Sequence, residues 1–327
     1  MVHIRFTHVF VVGMLVVCCL WLSAVAFADD PPAEFYLAGM QNAALSVTSG
    51  RGGVTVRDWM LKNDGNVLEV ETVHQVVWQG QAFRETVTTT YITNDAPPDS
   101  EGLMATPGTV IIREIAYDGT QVTEYNSERG EAVIGSPVSC GTHGAYASYI
   151  ADASIRGHGL TVPRSTSDPV PSYVRSTTGF QVVGTEIIDG DECVMLESTS
   201  IFDPPSGSSD PITNTHRMWV NPNKGYTVPR VRDWAQGGGL SQKTLMYEVD
   251  VQMRTYGGNL WGPAGFTRIQ YKTDPATGQR IRSLQSTVTF NQCYQVNPTV
   301  DPGELVLQLP SGTKVHNEII GGDYTIP

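Results

Sequence analysis

Three groups of residues have types and spacings that chemistry could use. Cys140-Gly-Thr-His143, with Asp152 and His158 further on, offers soft metal ligands, and Asp189-Gly-Asp-Glu192 crowds three acids around a glycine. A metal site needs three or four converging donors in a set order. The first group adds a single carboxylate, and the second lacks the ligand spacing of a calcium loop. A loop cysteine and an ordinary Asp-Gly turn are the plainer readings, so no metal site is expected. Ser311-Gly312-Thr313-Lys314 has the Ser-x-x-Lys spacing that sets a lysine beside a serine nucleophile on one helical turn. It follows Pro310 and an apolar run, Leu305–Leu309, which reads as a strand, so a turn is the natural reading. No Gly-x-Ser-x-Gly elbow, His-Glu-x-x-His pair, phosphate loop or Gly-x-Gly-x-x-Gly turn occurs. Paired carboxylates of the glycosidase kind stay open, because such pairs meet only in the fold. The chain reads as a non-enzyme without a cofactor.

The 327 residues carry 33 acids against 21 bases, a net charge of -12. Phosphate binding needs a basic footprint, so nucleic acid is excluded as a partner class and docking on anionic lipid is disfavoured. Ahead of the globular part, Arg5 precedes an apolar run from Val9 to Leu22, and small residues end in Ala26-Phe27-Ala28 before Asp29 and Asp30. These are the parts of a secretory signal peptide cleaved after Ala28. The alternative is an uncleaved membrane anchor, since no charge falls between Arg5 and Asp29. Export leaves residues 29–327 as one domain with Cys140, Cys193 and Cys293, which could form one disulfide in three ways. No Asn-x-Ser/Thr sequon with x other than Pro occurs, which favours a bacterial envelope and a periplasmic address.

The elements that must position any site are mostly strands. Ala33–Val47 reads as a helix running into the glycine-rich turn Gly50–Gly53. A second helix, His143–Arg156, places Tyr146, Tyr149, Ile150 and Ala153 on one face. Elsewhere apolar and polar residues alternate, as in Val67–Trp78, Phe83–Ile92 and Leu245–Thr255. Asp118-Gly119, Asp189-Gly190, Asn223-Lys224-Gly225 and Asp274–Gly278 separate such runs as hairpin turns, the last between Phe266–Lys272 and Arg280–Cys293. The expected fold is mainly β: one large curved antiparallel sheet with one or two helices on its apolar face, or else a β-sandwich. Its dry faces carry Leu68, Val70, Val76, Phe83, Val87, Tyr91, Leu245, Tyr247, Val249, Val251 and Met253. A curved sheet with few helices cannot cover all of these, so they are the candidates for binding a hydrophobic ligand.

Several segments together resemble a known group. These are Ile115-Ala-Tyr-Asp118-Gly119 with Tyr125, then Val183-Gly184-Thr-Glu186 and Asp189-Gly190 through Cys193 to Leu196. Arg217-Met-Trp219-Val220-Asn221-Pro222-Asn-Lys224-Gly225-Tyr226 follows, closing on Arg230 and Arg232, and Leu309–Val315 ends the set. The order is similar to that of the periplasmic outer-membrane lipoprotein carrier (Lol) superfamily, which includes lipoprotein-sorting proteins and envelope-stress sensors. The hairpin of Trp219, Pro222, Gly225 and Tyr226 is its most specific part, with Asn221 in place of the usual Asp. Trp219 is expected against the covered face of the sheet, beside Val228 or Tyr226. The resemblance implies an unclosed β-barrel over helices, a cavity for acyl chains and no catalysis, with residues 139–178 as an insertion. It implies lipid or lipoprotein acyl chains as ligand. The other reading is an envelope sensor or interaction module with a filled cavity and a protein partner.

Overall fold

Alternation with period two gives strands one dry face, and glycine or Asx turns fold each strand back on the last. The computed structural model describes residues 31–62, 65–80, 82–93, 107–136, 174–177, 179–202, 210–274 and 277–327. A helix, α1 (Ala33–Leu45), precedes β1 (Ser49–Leu61), β2 (Val67–Gln79), β3 (Ala82–Tyr91), β4 (Val110–Tyr117), β5 (Val122–Asn126) and β6 (Glu131–Gly135). Then come β7 (Val174–Thr177), β8 (Gln181–Ile188), β9 (Asp191–Phe202), β10 (Ile212–Asn221), β11 (Thr227–Gly237), β12 (Leu240–Tyr256), β13 (Leu260–Thr273) and β14 (Arg280–Phe290). The short strands β15 (Gln295–Val296), β16 (Lys314–Asn317) and β17 (Gly322–Thr325) close the chain.

All the strands belong to one mainly antiparallel sheet rather than a sandwich. Across it the order is β17, β16, β6, β5, β4, β3, β2, β1, β14, β13, β12, β11, β10, β9, with β8 and β7 sharing the far edge of β9. Only β16 on β6 is parallel among the described pairs. No described pairing joins β17 to β7 or β8, so the sheet stays unclosed. The two halves meet at β1, which holds β2 on one side and β14 and β15 on the other.

One face, here the inner face, buries a continuous cluster. It runs from Val54, Val76 and Trp78 through Phe290, Phe266 and Val249 to Met218 and Leu196, and α1 joins it through Ala33, Tyr36 and Met40. The helix lies by the β10–β11 turn, where Phe35 and Tyr226 meet edge to face. A Cβ on Gly39 would overlap the Tyr226 ring, so the approach of helix to turn needs glycine there.

Two local expectations change. Gly50–Gly53, expected as a turn, lies inside β1. The strand passes hard against aromatic side chains, and a Cβ on Gly50 would run into the Trp78 indole while one on Gly52 would sit 2.6 Å from the Tyr294 Cα. Glycine serves close approach here, not chain reversal. Leu305–Leu309, expected as a strand, forms no ladder. Pro302–Leu305 is a 3-10 turn closed by a capping box from Asp301 and Glu304, and Leu307 and Leu309 pack beside Val315, Ala132 and Tyr125. The export segment and the helix expected at His143–Arg156 lie outside the described residues, as does nearly all of 139–178. Among the described residues no helix is long and apolar enough to cross a membrane.

Candidate functional site

The registers of β1 to β5 align inner-face side chains in rows. Gly50, Trp78, Phe83, Tyr117 and Val122 form the first, and Gly52, Val76, Glu85, Ile115 and Glu124 the second. Val54, His74, Val87 and Arg113 follow, then Val56, Thr72, Thr89 and Ile111, then Asp58, Val70 and Tyr91, and last Met60 with Leu68. The first rows belong to the main cluster, whereas Leu68, Val70 and Tyr91 form a separate small one. Between and beyond them lies a cleft of ≈ 300 Å³ on β1–β4, with mostly aliphatic walls.

Its polar groups are Asp58, His74 and Arg113 with the hydroxyls of Thr72, Thr89 and Tyr91. His74 lines the cleft at 2% exposure, and its Nδ1 lies 2.5 Å from Oε1 of Glu85, which is fully buried behind it. That contact fixes the ring orientation from below. Arg113 lines the opposite wall and its Nη1 lies 3.5 Å from Oε1 of Glu124. Asp58 enters from β1, with Oδ1 buried and lacking a hydrogen-bond partner. An imidazole held by a carboxylate is half of a nucleophile-activating arrangement. The other half is missing: among the described residues no hydroxyl or thiol hydrogen-bonds to His74. Nor does any group of three metal-ligating side chains converge among them.

Of the apolar candidates, Leu68, Val70, Val87 and Tyr91 line the cleft. Val76 and Phe83 lie in the main cluster instead, as do Val249 and Val251, with Tyr247 and Met253 packed against it. Those six belong to the core or pack on it, and Val87, though it lines the cleft, packs on it as well. A β-bulge between Asp233 and Trp234 sets Leu245 opposite Trp234, out of the row that Tyr247 and Val249 share. Sequence reasoning missed Val56, Asp58, Met60, Ile111, Arg113 and Ile115, and it did not single out His74. A signal for His74 existed, because a histidine at a dry position of β2 and a glutamate at a dry position of β3 need each other.

The Trp219 hairpin sits elsewhere. Asn221 Oδ1 accepts from the amides of Asn223 and Lys224 across the 3-10 turn that Pro222 opens, and Gly225 and Tyr226 take left-handed backbone angles (φ 68° and 58°). Trp219 is buried, but on the outer face with Ile188, Cys193, Met195 and Trp234, not against the covered face. Met218 and Val220 are the inward residues of β10, so alternation sends Trp219 outward. Its Nε1 donates to Glu186 at 2.8 Å, and the guanidinium groups of Arg217 and Arg230 lie over its ring. Arg230 and Arg232 continue this outer face into a ladder with Asp250 and Glu248. Burial beneath it pushes the Cys193 thiol up to about 11, helped by Asp191. Cys193 and Cys293 are both free thiols.

No family model matches the chain. No curated protein matches it either. Among solved structures it aligns with a DUF1329 family protein from Desulfovibrio piger at 12% identity and a TM-score of 0.37, covering 85% of this chain and 98% of that one. A LolA superfamily protein from Nitrosomonas europaea aligns at 13% and 0.34, covering 83% and 96%. The lipoprotein LppX of Mycobacterium tuberculosis aligns at 13% and 0.27, covering 82% and 98%. At this depth the likeness leaves the ligand to be argued from the chain's own residues.

Proposed function

We propose that this is an exported, periplasmic binding or carrier protein, without catalysis, that holds the acyl part of a lipid or lipoprotein in the β1–β4 cleft. The observation that supports it is the cleft itself: an apolar trough on the inner face that runs from Val87 and Ile115, at the margin of the main cluster, past Ile111 to the separate group of Leu68, Val70 and Tyr91. Its ≈ 300 Å³ lies at the lower end of the roughly 300–1,000 Å³ of ligand pockets. It therefore suits part of a chain rather than a whole lipid.

Each buried methylene contributes about 0.8 kcal/mol, so affinity climbs with chain length and levels off once the trough is full. Titrating delipidated protein with 1-alkanols and fatty acids of increasing length, against a fluorescent apolar probe, measures this. The hold is apolar, so salt changes it little. Replacing Val87 by Asp removes the climb while circular dichroism shows the sheet intact. A flat response across lengths in folded protein overturns the carrier and leaves an interaction module.

A further inference from the structure

We propose that the cleft selects an amphiphile whose head donates hydrogen bonds, a hydroxyl or an amide, and turns away carboxylate heads; this rests on the acyl-binding reading above. Oδ1 of Asp58 is buried at the cleft wall without a hydrogen-bond partner. A buried acceptor that has given up water and gained no donor is destabilising, and a ligand that brings the donor removes that penalty. The charges around the cleft point the same way. Its lining cation, Arg113, is already opposed by Glu124, and His74 is held by Glu85. Asp58 makes no ion pair among the described residues: the cation on its row, Arg268, lies beyond Ser286, whose Oγ accepts from its Nη2, so the lining itself carries one carboxylate that no lining cation pairs with. A carboxylate head set there meets a like charge in a partly buried site, where screening is weak. A hydroxyl or amide meets an acceptor. Val70 shares the Asp58 row, and Val87 and Ile111 lie in the two rows beyond, so the chain has an apolar path leading away from the head.

The test compares three probes with the same fourteen-carbon chain: 1-tetradecanol, tetradecanoate and tetradecyltrimethylammonium, on the full mature protein at neutral pH. The alcohol is expected to bind about tenfold tighter than the acid, the size of one hydrogen bond to a charged group. In Asp58→Asn the like charge is gone, and the gap between alcohol and acid closes. Equal affinities for all three, or the acid tightest, overturn the head-group inference while the chain-length reading stands. The quaternary ammonium tightest overturns it too, because that head has charge but nothing to donate. No binding by any probe in folded protein overturns the acyl reading, and this inference with it. Should Asp58→Asn fail to fold, the three-probe ranking on the wild-type protein decides alone.

Discussion

The same three strands, β1 to β3, end in two different ways on the inner face. At one end Val76, Trp78 and Phe83 pack into the cluster that α1 joins, and the Trp78 Nε1 reaches the Tyr294 hydroxyl at 3.3 Å. At the other, Leu68, Val70 and Tyr91 form their own small cluster against a cleft. Residue type does not separate the ends, since both are aliphatic and aromatic. Among the described residues, what differs is α1, which joins the first cluster and not the second. A helix of 13 residues is about 20 Å long, whereas strands of 13 residues run about 43 Å. The helix cannot cover the strands whichever way it lies. Among the described residues the cleft is thus a matter of lengths, and the buried His74–Glu85 pair lies in the rows between the two ends.

If that division is right, substitutions should sort by end. Trp78→Ala, at the covered end, should cost about 3–5 kcal/mol in a denaturant titration, because the surrounding aromatics cannot collapse into the space. An unchanged midpoint would erase the distinction. At the boundary, Glu85→Leu leaves His74 buried without its partner and should cost about 1–3 kcal/mol. Adding His74→Leu should return most of that, since a well-packed apolar pair replaces a buried polar one at little net cost. A double variant worse than the single would mean that the pair holds the sheet together instead of marking the passage between its two ends. At the open end, Val70→Ala should cost only about 0.5–1 kcal/mol, as a half-buried side chain loses two methyl groups. Its effect should appear in ligand affinity. A stability loss there matching Trp78→Ala would show the cleft to be core.

Strand alternation carried most of the fold: the dry row of β2, that of β12 from Tyr247 to Val251, and the Asp-Gly hairpins could be read from spacing alone, whereas the bulge that turns Leu245 away could not. The failures share a physical cause. Gly50–Gly53 misleads because a glycine gives no local sign of whether it turns the chain or lets an indole come close. Trp219 misleads because a large aromatic reads as inward, yet Arg217 and Arg230 can cover it from outside. In the site, Leu68, Val70, Val87 and Tyr91 were legible as dry positions, but nothing local separates them from Val76 or Val249, which are equally dry and fully packed. That separation depends on which distant elements pack against each row. Asp58 and Arg113 were missed because a charged residue within an alternating run is ordinarily a solvated one.

The place of β1 in the sheet has a consequence for how the chain reaches this state. Val54 faces His74 on one side and Phe290 on the other, one partner made almost at once and the other only near the end of synthesis. Until β14 arrives, β1 is an edge strand with a row of open amides and carbonyls, liable to pair with another chain. Long-range pairing of this kind slows folding. The β2–β5 meander should therefore gain protection from hydrogen exchange before the β1–β14 ladder does, and simultaneous protection would count against that order. An export pathway that delivers the chain unfolded would meet its most vulnerable intermediate at this seam, where the holding of nascent protein by a chaperone would matter most.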